Sequence, residues 1–199
     1  MNLDIERAKK YFYNKDYKSA CEIFLKYKKF YESGMCFLFM NDIKNAKKYW
    51  QMDKENKFAS SWGLNVLEFI KLKMLKPPTY LQIRAFYEMY IELFIENSMI
   101  DYAQNLINMY PTLSKYNSET YKFVCRALYA KEYYDLALDF AKKTEEEYNF
   151  DPEALYISAD INFMRKNYAK SFDEIRKILD VIPNYYPARK LKETLLKTI

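Results

Sequence analysis

The sequence predicts an all-α protein built as an array of short antiparallel helix pairs, and three observations carry that reading. First, one phrase recurs: NKDYKSACEIF at 14–24, KEYYDLALDFA at 131–141 and KNYAKSFDEI at 166–175. Second, glycine is nearly absent, with 2 in 199 residues beside 6 prolines. Sheets and phosphate-cradling loops spend glycine at positive-φ turns, so its scarcity favours helices joined by short turns. Third, apolar residues fall three and four apart with polar breaks between the runs, the spacing of one buried helix face. Half of the residues are apolar and 30% are charged, the balance of a soluble chain that forms a core.

Self-similarity at a fixed period sets the elements. Taking Ala20 as an anchor, Ala103, Ala137 and Ser171 fill the same place, the last three spaced by 34, and Ala46 is a copy 26 residues after the first. Three residues before the anchors stand Tyr17, Ile43, Ile100, Tyr134 and Tyr168; four after them stand Phe24, Trp50, Ile107, Ala141 and Ile175. Twelve before come Ala8, Gly34, Ile91, Cys125 and Ala159, mostly small, and nine before come Tyr11, Phe37, Phe94 and Leu128, with Asn162 the exception. Each unit is therefore two helices joined by a tight polar turn, such as Asn14-Lys15-Asp16 or Lys131-Glu132. Small residues mark the crossing and large aromatics fill the space beside it. One pair cannot bury its own apolar face, so pairs stack.

In chain order, residues 1–53 hold two such pairs. Residues 54–83 form a linking helix and turn, in which 57–76 reads as one long helix with Phe58, Trp62, Val66 and Ile70 on a stripe, ended by Pro77-Pro78. Residues 84–199 hold three pairs, the last stopped by Pro183, and a charge-rich capping helix begins near Pro187.

This order of small residue, aromatic, anchor and proline over a period of 34 resembles the tetratricopeptide repeat family. The resemblance is closest over 84–185, good over 1–26 and shortened over 27–53; most units lack the family's tryptophan and glycine in the first helix. It implies a right-handed superhelical solenoid without catalysis, whose first helices line a concave groove that holds a peptide or helix. Fifteen and eleven places before the anchors, the groove positions hold Glu88 and Glu92, then Lys122 and Arg126, then Tyr156 and Asp160. Eight before them stand Ile95, Tyr129 and Phe163. A subset of the family clamps a C-terminal carboxylate here, but Glu92, Arg126 and Asp160 stand where that clamp carries Asn, so no such clamp is expected. Alternating charge with Tyr129, Tyr156 and Phe163 as apolar anchors suits a short peptide or helix instead.

Other chemistry is thinly supported. The chain has no histidine, which removes His-based acid–base and nucleophile systems and most zinc sites, and it lacks both glycine-rich phosphate motifs. No enzyme activity, cofactor or metal is expected. Glu88, Glu92 and Glu96 fall at i, i+4 and i+8 on one helix face. They form either a site for a cation or basic peptide, or a solvated face paired with Lys122 and Arg126 of the next unit. Cys21, Cys36 and Cys125 have no C-x-x-C spacing and read as reduced, buried small hydrophobes. The absence of a visible signal peptide or spanning segment points to the cytoplasm. The net charge of +5 is uneven: residues 1–76 hold 16 Lys and Arg against 9 Asp and Glu, residues 77–199 hold 16 against 18. Nucleic-acid binding through the basic N-terminal part is therefore an alternative. Yet Tyr11, Tyr17 and Phe24, its stacking candidates, are already assigned to the core. A chaperone for a secreted substrate, a job of some small family members, is a further one. Because Ala137 is placed at a helix crossing, Ala137→Leu should overpack it and cost about 1–3 kcal/mol in urea unfolding; wild-type stability would refute the register.

Overall fold

The computed structural model describes residues 3–71 and 77–198, all regular structure among them is helical, and the chain divides into two units, Met1–Leu75 and Lys76–Ile199. In the first unit α1 (Leu3–Tyr13) pairs with α2 (Tyr17–Lys26), α3 (Phe30–Phe39) pairs with α4 (Ile43–Met52), and α5 (Lys57–Ile70) lies on α3 and α4. In the second, α6 (Tyr80–Ala85) continues through a π-helical turn, Phe86–Tyr90, into α7 (Ile91–Glu96), and this composite helix pairs with α8 (Ile100–Asn108). A short α9 (Tyr110–Leu113) connects to α10 (Thr120–Ala130), which pairs with α11 (Tyr134–Tyr148); α12 (Pro152–Met164) pairs with α13 (Tyr168–Val181); α14 (Tyr186–Thr198) packs on both of these.

The anchors sit where the pairs cross. Ala20, Ala46, Ala103, Ala137 and Ser171 are all buried, and so are the residues twelve before them, Ala8, Gly34, Ile91, Cys125 and Ala159. In one pair the two places touch directly, the Cys125 thiol donating to the Ala137 carbonyl at 3.3 Å. Asn162, the misfit at the aromatic place, is satisfied by a buried polar knot. Its amide donates to Glu174 Oε2 at 3.1 Å and to the Ser158 carbonyl at 2.9 Å, while the Ser158 hydroxyl donates to Glu174 Oε1 at 2.8 Å.

Every pair turns in the same way. Lys15, Asn41, Ser98, Glu132 and Lys166, each five residues before its anchor, adopt the left-handed conformation with φ between 59° and 63°. The N–H of Lys15 donates to the Phe12 carbonyl and that of Asp16 to the Tyr11 carbonyl, and the same two bonds recur in the other four turns. This is the double bond set that closes a helix C-terminus around a left-handed residue. The scarcity of glycine therefore did not mean a scarcity of positive φ. Asp16 and Asp42 go on to cap the next helix, their side chains accepting the N–H groups of Ser19 and Asn45.

Both glycines are used elsewhere, against one side chain. A Cβ on Gly34 of α3 would lie 2.3 Å from Trp50 Nε1, and one on Gly63 of α5 would lie 2.8 Å from the far edge of the same indole. Trp50 is buried between them and donates its N–H to the Tyr31 carbonyl at 3.1 Å. Beside that contact Ser60, Gly63, Val66, Leu67 and Phe69 of α5 are buried; of the expected stripe Val66 is buried, Trp62 and Ile70 are half-buried, and Phe58 is exposed. The buried Asp53 holds the start of α5, accepting from the Glu55 and Asn56 N–H groups and from the Ser60 hydroxyl. Residues 72–76, expected as the end of this helix, lie outside the described residues.

A left-handed lysine carries a Cβ penalty that glycine does not, partly offset by the greater freedom glycine loses on folding. Lys166→Gly is expected to raise stability by about 0.5–1 kcal/mol in urea unfolding, and Asn41→Gly by less, because Asn tolerates this region. An unchanged midpoint for Lys166→Gly would mean that the turn is not strained.

Candidate functional site

The first helices of the second unit lie side by side in the order 80–96, α10, α12 and α14. Of the eight groove residues expected from the sequence, Glu88 pairs with Arg126 and Tyr129 with Asp160, while Glu92 and Lys122 meet Lys131 and Asp151. The Arg126 guanidinium of α10 is the centre: its Nε and Nη2 bind the two oxygens of Glu153 on α12, and its Nη1 binds Glu88 in the π turn. The other Glu88 oxygen accepts from Arg84 at 2.6 Å. A planar, forked donor suits this bridging, since each carboxylate can be met in the plane of the guanidinium. These hydrogen bonds, the one to Glu153 foremost, hold the Arg126 pKa above its ordinary value.

The remaining carboxylates choose partners by level along the helices. Glu92 and Glu96 do not meet Lys122 as the spacing suggested. Lys131, at the far end of α10, lies 3.6 Å from Glu92 and binds Glu96, whose hydrogen bond is the main reason its pKa is raised. Lys122, near the start of α10, turns forward to Asp151 Oδ2 at 3.2 Å. Asp151 is also the cap of α12, its other oxygen accepting the N–H groups of Glu153 and Ala154. Of the expected cross-unit pairs, Glu88 with Arg126 forms and those of Lys122 do not. The Tyr129 hydroxyl donates to Asp160, and burial, followed by that hydrogen bond, pushes the phenol well above its usual value.

What is left open lies toward the C-terminal end. Tyr156, Asp160 and Phe163 share one face of α12, and with Tyr186, Lys190 and Leu191 of α14 they line a cleft of about 420 Å³. Tyr156 and Tyr185 stand edge to face at 6.3 Å, and Lys190 Nζ lies 4.9 Å from the Tyr186 ring. Sequence reasoning missed Glu153, Asp151, Lys131 and the α14 wall. The Asp151-Pro152 pair, a helix-start signal, was the one available hint to the first two.

No group of three or more His, Cys, Asp or Glu converges among the described residues, and no helix among them is long and apolar enough to cross a membrane. Cys21, Cys36 and Cys125 are free and buried, and burial pushes the Cys125 thiol up to about 12. Comparison with family models, curated proteins and solved structures returns no match.

Arg126 therefore ties three successive first helices together. Arg126→Gln leaves Glu88 and Glu153 without their shared cation and should cost about 1–2 kcal/mol at low salt, less in concentrated NaCl. A salt-independent loss would point to packing rather than charge as the origin.

Proposed function

We propose that the chain is a non-catalytic interaction module that holds a protein partner's peptide or short helix along the first-helix face of its second unit, anchored in the α12–α14 cleft. The helix pairs are read as degenerate tetratricopeptide-like repeats of a right-handed superhelical array acting in the cytoplasm. The buried small residues at the crossings and the repeated turn support the first part of that reading, and the three free, buried thiols fit a reducing compartment.

One observation carries the choice of surface. Arg126, Lys122 and Lys131 are engaged with carboxylates of the same chain, whereas Tyr156, Phe163 and Tyr186 line an open cleft flanked by Lys190 and by Asp160, which also accepts from the Tyr129 hydroxyl. Aromatic walls with one charge of each sign are the composition of an anchor pocket, where most of the binding energy of a peptide concentrates. Preformed helices keep the ordering cost of binding low. The basic first unit offers less to a nucleic acid strand: Lys9 and Lys29 hold Glu6 and Glu55, and Phe24 is buried, with Tyr11 and Tyr17 packed against its core.

The test places a photo-crosslinking phenylalanine analogue at Phe163, Tyr156 or Tyr186, and in control chains at the exposed Asp139 and Glu146 of α11. Expressed in the native host, the cleft positions should yield one discrete adduct that the controls do not. Phe163→Ala should weaken capture of that partner at least about tenfold. Adducts from the controls alone, or capture indifferent to Phe163, would move the binding surface elsewhere.

A further inference from the structure

A cavity in the first unit combines aromatic walls with a carboxylate oxygen that has no partner. Lys9, Phe12 and Tyr13 of α1, Phe24 of α2, and Tyr31, Glu32 and Met35 of α3 line a space of about 260 Å³. Glu32 Oε2 is shut off from solvent and has no hydrogen-bond partner. Lys9, in the lining, and Lys29, three residues before Glu32, are close enough to feel its charge but make their ion pairs elsewhere, Lys9 with Glu6 at 2.9 Å and Lys29 with Glu55 at 2.7 Å. A carboxylate oxygen withdrawn from water without a hydrogen-bond donor is costly, and an occupant that supplies positive charge offsets that cost.

The lining decides which cation fits. A metal ion needs several oxygens in its coordination sphere, and the cavity offers one carboxylate. A lysine ammonium brings three donors and an arginine guanidinium five, most of which would be stranded against phenyl and thioether carbon. An alkylated ammonium has methyl groups in place of those donors. Its positive charge is drawn to aromatic faces, and its methyls match apolar walls. We propose that this pocket binds an alkylated ammonium group, with Phe12, Tyr13, Phe24 and Tyr31 as the cage and Glu32 as the counter-charge. The group belongs either to a free quaternary amine or to a methylated lysine side chain.

Titration of the full chain by calorimetry separates these readings. Four probes are used: choline, its neutral isostere with carbon in place of nitrogen, and a short peptide with and without Nε-trimethyllysine. Choline or the trimethylated peptide should bind at least about tenfold tighter than its uncharged or unmethylated counterpart. The tighter of the two identifies the source of the group. Glu32→Gln, which keeps the shape, should reduce choline's advantage over the isostere to about twofold or less while leaving the melting profile intact. The wild-type comparison stands alone if that variant does not fold. Equal binding of the isostere, or no saturation by any probe at concentrations on the order of 10 mM, overturns the proposal.

Discussion

The two helices of each pair cross so closely that the residue at the crossing has room for almost no side chain, and the rest of the architecture follows from that. Ala20, Ala46, Ala103, Ala137 and Ser171 are buried, as are the residues twelve positions earlier on the partner helices, and in one pair the two touch directly, Cys125 with Ala137. Close approach brings the flanking positions, four after and nine before, within reach of both helices, so aromatic and aliphatic side chains there fill the space beside the crossing. Ser171 shows how strict the size limit is. Its hydroxyl is buried with no hydrogen-bond partner, a polar atom tolerated at a place where any larger side chain would part the helices.

The turn is the second half of the same constraint. Two helices packed against each other from the first turn of the second must reverse in a few residues, and a left-handed residue closing the first helix does this while satisfying its last carbonyls. Lysine, serine and glutamate accept that conformation here, and the strain is spread over five turns. Glycine is kept for a different need. Gly34 and Gly63 bring two backbones onto opposite parts of Trp50, so one indole joins α3, α4 and α5 in a way that no residue with a Cβ permits. Composition alone could not show this allocation, because a count of glycines carries no information about where they stand.

What the sequence disclosed was what repeats. Positions defined by a fixed offset from a small anchor, such as Ala8, Cys125 and Ala159, came out buried because periodic burial leaves a periodic pattern. What escaped was singular. The π turn at Phe86–Tyr90, the short α9 and the inward face of α5 each occur once, and no second copy exists to reveal them. The ionic partners were also out of reach for a geometric reason. Offsets place Glu92 and Lys122 on neighbouring helices, but which cation a carboxylate meets depends on the relative level of those helices, and Lys131 stands nearer than Lys122 to the end of 80–96.

That pairing changes what a groove of charged residues means. Alternating Glu, Lys and Arg along successive helices looks like a surface prepared for a charged ligand, yet in this chain the alternation is self-complementary. Arg126, Lys122 and Lys131 have their counter-charges supplied from within. A ligand competing for Arg126 would have to replace a two-point contact with Glu153 and the contact with Glu88, and would gain little net free energy by doing so. The meeting of α12 and α14 is different: Tyr156 and Phe163 face Tyr186 across an open cleft. Where neighbouring faces satisfy one another's charges little is left for a ligand, and this is why the proposed binding surface lies at the α12–α14 cleft rather than along the Arg126 network.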